Sequence, residues 1–242
     1  MIKTPLPYYS NGPVGEYYQK INWKNGFEKW ELIRVQTPSD GSCLFHAIAN
    51  SFFVPYYTEI VDGKKITRKE IVKQLREEFS QKLSSPVSSD SNSKTHYEII
   101  NSGKTAEFPV SADLPEYDYS LANMQKQFNS KENIGYGYTE CISNILNKNI
   151  YILNDIGNDL YPFEKTELLN IYKKNRPSIV VYYTTPNDKD IYDHYELVGI
   201  MNNGIIDTYF DSDHTFIKFL YNRVEERAKD KDNKDNKDKD NK

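Results

Sequence analysis

The sequence predicts an α/β fold, with helices and strands interleaved along one chain. Three observations predict it. A capping box, Thr67 to Glu70, opens an amphipathic helix with Ile71, Val72, Leu75, Phe79 and Leu83 at helical spacing. Three apolar runs, at 150–153, 178–183 and 195–200, have the length and the β-branched and aromatic content of buried strands. And a turn-forming run, Pro38-Ser39-Asp40-Gly41-Ser42, stops at Cys43, where the helix-compatible run Leu44, Phe45, Ala47, Ile48, Ala49 begins.

The elements follow in order. Pro5, Pro7, Asn11-Gly12-Pro13 and Gly15 punctuate an extended start. Trp23, Phe27, Trp30 and Ile33 lie three or four apart and suggest a short helix packing on the core, and residues 32–35 are extended. The Cys43 helix runs to about Phe53 and stops before Pro55. Asp62-Gly63 is a turn, and a helix covers 68–83. Residues 84–93 form a polar, Ser-rich connection, and 96–118 carry no clear pattern. Ser120 caps a helix with Leu121, Met124 and Phe128 inward; after a loop at 135–138, Thr139 caps another, with Ile142, Ile145 and Leu146 inward. The strands come next, the last joined through Asn202-Asn203-Gly204 to a partner at 205–210. Asp213 caps a final helix carrying Phe216, Ile217, Phe219, Leu220 and Val224. From Lys229 only Lys, Asp and Asn occur, so residues 227–242 are expected to be a disordered, solvated tail; a polybasic address is the poorer reading because the charges nearly cancel.

The totals exclude several functions. With 242 residues the chain fits one large domain or two small ones. A net charge of −4 argues against a general nucleic-acid binder. No apolar run has the length to cross a bilayer, and the first residues lack a signal-peptide core. Two cysteines far apart, Cys43 and Cys141, argue against a disulfide framework and for a reducing compartment. Neither repeats nor zinc-type Cys/His spacing is present.

Cys43 stands at the first turn of its helix, where free N–H groups and the helix dipole favour an anion. A thiol there tends towards the reactive thiolate. Gly41 lets the backbone turn and approach a ligand, and the loop amides suit an oxyanion. A buried structural cysteine is an equally good reading of this stretch alone. Catalysis needs a base. His46, three positions on, is expected to be a wall or surface residue; His96 follows the Ser-rich connection; His214 reads as surface. His194 begins a strand after a polar loop, a place that holds an imidazole rigid and accessible. Glu196 shares its face by the strand period of two and would orient it; a solvent-facing residue of an alternating strand is the competing reading.

Asp40-Gly41-Ser42-Cys43-Leu44-Phe45 resembles the Asp-Gly-x-Cys-Leu-Phe signature of the ovarian tumour (OTU) cysteine proteases. His194-Tyr195-Glu196-Leu197-Val198 resembles the second signature of that family, and Gly137-Tyr138-Thr139-Glu140-Cys141-Ile142 with Ile150-Tyr151-Ile152-Leu153 resembles its middle block. Tyr138 stands where the block usually has Trp, and Glu196 is one methylene longer than the common Asp or Asn. The resemblance implies a papain-like fold, a central mixed β-sheet flanked by helices, over 30–226, with 1–29 as an extension packing on it. It implies removal of ubiquitin, or a ubiquitin-like modifier, from lysine, with no metal or organic cofactor. Cys43 would be nucleophile, His194 base and then acid, Glu196 the orienter of His194 (a role Asp40 or Asp193 could share), and Asp40 the support of the oxyanion loop. Gly41, Ser42 and Tyr195 would contact substrate. The expected partner is ubiquitin or polyubiquitin, not nucleic acid or membrane, and the expected setting is a monomer in the cytosol. The abundance of Lys, Asn, Ile and Tyr, a bias of AT-rich genomes, points to a viral or microbial source acting in a host cytosol.

Overall fold

A mixed sheet with helices on both faces organises the chain. The computed structural model describes residues 4–5, 13–90, 92–101, 120–134, 138–155, 157–161, 172–184 and 194–240. Among these, the elements are β1 (Thr4–Pro5), β2 (Tyr17–Lys20), β3 (Leu32–Val35), α1 (Cys43–Phe52), α2 (Val54–Thr58), β4 (Ile60–Val61), β5 (Lys64–Lys65), α3 (Arg68–Leu83), α4 (His96–Asn101), α5 (Leu121–Asn129) and α6 (Tyr138–Leu146). Then come β6 (Asn149–Asn154), β7 (Asp159–Leu160), β8 (Ser178–Thr184), β9 (His194–Asn202), β10 (Ile205–Asp207), β11 (Tyr209–Phe210) and α7 (Thr215–Asp240). The order across the sheet is β1-β2-β3-β9-β8-β6-β7, with β10 on β9 and β11 on β8. β6 and β8 run parallel and the other pairs antiparallel.

The period of two divides the central strands between two cores. Ile150, Ile152, Ile179, Val181, Tyr195 and Leu197 face α1, α3, α5 and α6. Tyr151, Leu153, Val180, Tyr182, Val198 and Ile200 face α7 with Trp23 and Phe27. A strand covered on both faces reads as a continuous apolar run, which is why 150–153 shows no alternation. In the first core Phe45 of α1, Phe79 of α3 and Phe128 of α5 meet with ring centroids 5.8–6.1 Å apart. Each such ring contributes about 1.5–3 kcal/mol by burial, so this triangle fixes α3 and α5 against the helix that begins at Cys43.

The α3 helix has the expected bounds, and its capping box is formed: Glu70 N–H donates to Thr67 Oγ1 at 3.2 Å, and Thr67 N–H to Glu70 Oε2 at 3.0 Å. Ser120 Oγ caps α5 by accepting from Asn123 N–H at 3.4 Å. The hairpin turn is made by Asn203 and Gly204, both at positive φ.

Other elements differ. The aromatic spacing at 23–33 does not make an α-helix: Asn25 and Gly26 take positive φ, and only a 3₁₀ turn, Phe27–Lys29, follows. These aromatics serve α7 instead, with Phe27 5.0 Å from Phe219 and Trp30 5.0 Å from Phe216. Pro55 ends α1 but then sits in the first turn of α2, where its missing N–H costs nothing. Thr139 is not a cap; α6 already begins at Tyr138, and Thr139 Oγ1 is buried without a partner among the described residues. At α7 the capping acceptor is His214 Nδ1, 3.2 Å from Phe216 N–H, rather than Asp213. The α7 helix runs Thr215–Asp240, and no Gly or Pro interrupts it. No described helix is long and apolar enough to cross a membrane.

Candidate active site

The site forms where the start of α1 meets the start of β9. Cys43 is the first residue of α1, and Ser42 precedes it with φ −120° and ψ 18° and no side-chain cap. Asp40 supplies what Ser42 does not: its Oδ1 accepts from Ser42 N–H at 3.1 Å, closing the turn. Gly41 has φ +80°, and a Cβ on it would stand 1.9 Å from the carbonyl oxygen of Lys131. Only glycine allows that backbone approach.

Cys43 is 3% exposed. Tyr195 N–H donates to its Sγ at 3.4 Å, and Asn133 Oδ1 lies 3.9 Å from the sulfur. Thr37 Oγ1 donates to the Tyr195 carbonyl and pins β9 at this point. Burial pushes the thiol up, and the N–H groups of Tyr195, Leu44 and Cys43 pull it back only in part. Burial thus works against the thiolate that the helix terminus favours.

His194 opens β9 opposite Thr184 and adjoins the residue whose amide reaches the sulfur. Burial pulls its imidazole down; Glu196 raises it and Arg34 lowers it further. Among the described residues the ring has no hydrogen-bond partner. Glu196 does lie two residues on, but its charge is met by Arg34, with Oε2 3.1 Å from Nε. The Arg34 Nε–H points instead to Gln19 Oε1 at 3.0 Å, so among the described residues Glu196 Oε2 is a buried acceptor with an ion pair but no hydrogen bond. The expected hydrogen bond from His194 to Glu196 is not made.

His46 departs from expectation. It is 1% exposed, with Nε2 3.3 Å from Asp40 Oδ2 and Nδ1 2.7 Å from Tyr56 Oη. A neutral ring protonated at Nε2 satisfies both contacts, and burial holds the imidazole below its ordinary range while Asp40 opposes. Asp40 thus bonds the Cys43 loop with one oxygen and His46 with the other.

Arg76 was not singled out by sequence. It is 3% exposed and joins four stretches of chain. Its Nη1 donates to Gly41 O at 3.2 Å and Ser42 Oγ at 2.9 Å; Nε donates to Phe128 O at 2.9 Å. Its Nη2 donates to Gln127 O at 2.9 Å, Glu132 O at 3.1 Å and Ser130 Oγ at 3.4 Å. The signal was available: position 76 falls on the inward stripe of α3 between Val72 and Phe79, where a charge needs a reason.

Cys43, Asp40, Gly41, Ser42 and Tyr195 thus come together, with His194 beside them and Glu196 on the His194 face. Cys141 is buried in the first core, its thiol pushed up by burial. Gly137, Asp193 and residues 102–118 lie outside the described residues.

A family model described as OTU-like cysteine protease matches residues 38–194, from the Cys43 loop to His194. No curated protein matches the chain. A solved ovarian tumour (OTU) domain in complex with ubiquitin is similar at 17% identity and a TM-score of 0.46, covering 87% of this chain and 91% of that one. The OTUD1 OTU domain is similar at 15% identity and a TM-score of 0.37, covering 69% and 85%.

Proposed function

The chain belongs to the OTU-like cysteine proteases, and on that premise we propose that it hydrolyses the isopeptide bond between lysine and ubiquitin or a ubiquitin-like modifier. The observation that carries the reading is the 3.4 Å contact from the Tyr195 amide to Cys43 Sγ, which brings the residue after His194 onto a sulfur 152 positions earlier in the chain. In this reading His194 accepts the Cys43 thiol proton as sulfur adds to the C-terminal glycine carbonyl. N–H groups at the start of α1 hold the oxyanion. The C–N bond breaks, the lysine amine leaves with the proton from His194, and a thioester remains. Water, deprotonated by His194, then hydrolyses the thioester and restores the thiol. Glu196 accepts from the imidazolium, and Asp40 keeps the loop turned. Gly41 borders the path of the extended modifier tail, whereas the side chains expected beside it at Ser42 and Tyr195 are buried, Tyr195 within the first core. The enzyme works as a monomer in the cytosol.

A second reading has a specific observation in its favour. A sulfur 3% exposed with its thiol pushed up suits a non-catalytic ubiquitin-binding module on the same fold. Mass spectrometry with a ubiquitin C-terminal electrophile separates the two. A ubiquitin adduct on wild type, absent in Cys43→Ala and slow in His194→Ala, is expected. Binding without adduct would favour the module, and neither binding nor adduct from folded protein would sink both readings.

A further inference from the structure

We propose that Arg76 is the positioning residue of this site, a clamp that joins the Cys43 loop to residues 130–134 and so sets the carboxamide of Asn133 against the nucleophile. The inference rests on the cysteine-protease reading of Cys43.

A buried guanidinium usually answers a carboxylate. Among the described residues Arg76 has no ion pair; its bonds go to main-chain carbonyls and two serine hydroxyls. Two of the carbonyls, Gln127 and Phe128, belong to the last turn of α5, the negative end of that helix dipole. The remaining bonds divide between the nucleophile loop, at Gly41 and Ser42, and the opposite wall, at Ser130 and Glu132. The guanidinium carbon also lies 4.6 Å from the Phe45 ring centroid, two residues past Cys43. A planar fork with five N–H donors can bridge both walls at once, and an ammonium cannot.

The second independent observation is the contact between the walls. The carbonyl of Lys131 lies against Gly41 so closely that no side chain fits between them. The same segment carries Asn133 to 3.9 Å from Cys43 Sγ. The clamp therefore determines where the Asn133 carboxamide stands relative to the sulfur. It does not touch substrate. Arg76 stays protonated at neutral pH even though burial lowers it to about 10.

The test uses the full chain as Arg76→Lys, Asn133→Ala and the double variant, with turnover of a ubiquitin C-terminal fluorogenic amide and alkylation of Cys43 by iodoacetamide. For folded Arg76→Lys, kcat should fall about 100-fold with KM within about threefold of wild type, the size expected from an ångström-scale misplacement. Alkylation should move the other way, about tenfold faster, because the wall over the sulfur opens locally. Asn133→Ala should also lower kcat, and the double variant should be no slower than the slower single variant. An unchanged kcat in folded Arg76→Lys, a loss confined to KM, or additive effects in the double variant would overturn the clamp. Should Arg76→Lys fail to fold, an unaltered kcat in Asn133→Ala overturns it alone. A wild type inert to ubiquitin reagents defeats the substrate reading, and the alkylation rates then decide the clamp by themselves: equal rates refute it.

Discussion

Replacing Gly41 by alanine should disable the site through backbone geometry alone. The structure supplies the magnitude and its control. Gly41 and Gly63 have nearly the same φ, +80° and +74°, but a Cβ at Gly63 meets nothing within 4 Å, whereas one at Gly41 meets Lys131 O at 1.9 Å. Left-handed backbone costs a non-glycine residue about 1–2 kcal/mol, so Gly63→Ala should lose about that much and lower Tm by roughly 2–8 °C. Gly41→Ala carries the same strain and a clash as well. To bring the 1.9 Å contact to an allowed 3.0 Å, residues 130–134 and the Cys43 loop must separate by about 1.1 Å. That separation stretches the Arg76 bonds to Gly41 and Glu132, now 3.2 and 3.1 Å, past useful length. The total loss should be roughly 3 kcal/mol, or about 6–12 °C in Tm, with turnover down about 100-fold in the folded protein. Calorimetry and kcat for both variants decide the matter. Equal Tm shifts for Gly41→Ala and Gly63→Ala, with turnover retained, would refute the claim that the two walls meet at Gly41.

The other predictions rest on separate contacts. Phe79→Ala should cost about 3–5 kcal/mol by opening the Phe45–Phe79–Phe128 triangle, read by denaturant titration; a loss under 1 kcal/mol would mean that the rings are not packed. The rate of Cys43 alkylation should climb with a midpoint above the ordinary thiol value of about 8.5, because burial holds the proton on sulfur; a plateau reached below pH 7 would contradict this. His46, His194 and His96 are all pulled down by burial, so near pH 6 the unfolded chain binds more protons than the folded one. Stability is then fully present above the ordinary value of about 6.5 and lost as pH falls through and below it; Tm that holds constant from pH 7 to 5 would contradict the sign.

The sequence was most legible where one local force decides the outcome. The helix 68–83 has a reciprocal cap at one end and an unbroken apolar stripe, and it forms with those bounds. The loop–Cys–helix join was readable for the same reason, since Gly41 and Cys43 mark an abrupt change from turn chemistry to helix chemistry. Legibility failed where distant chain competes. Trp23, Phe27 and Trp30 have helical spacing, but the partner that makes them useful is α7, and the Asn25-Gly26 turn prevents the helix. Arg76 was passed over, and His46 was expected as a wall or surface residue, because each is justified only by residues far away in sequence or by a side chain that turns inward. The thiolate inference left out a counterforce for a related reason: a helix terminus is visible in sequence, but the burial that opposes it depends on residues 130–134 and on β9.

The charges of the resting site argue for what substrate must bring. Burial pushes the Cys43 thiol up and pulls the His194 imidazole down, so proton transfer from sulfur to imidazole creates two charges in a poorly hydrated place. The N–H groups at the start of α1 and at Tyr195 are placed to receive the negative one. For the positive one the buried acceptor Glu196 Oε2 is the available partner, because it has an ion pair with Arg34 but no hydrogen bond. An imidazolium donating to that oxygen would satisfy an acceptor left wanting at rest, whereas a neutral ring gains less from it. Arg34 opposes the transfer by charge and aids it by holding the carboxylate still, its own guanidinium being fixed by Gln19 Oε1 and lying 4.6 Å from the Tyr182 ring centroid. Substituting methionine for Arg34 should therefore raise the His194 titration midpoint, followed by NMR of the imidazole, and lower kcat by letting Glu196 move. A midpoint that falls in this variant would reverse the assigned roles of Arg34 and Glu196.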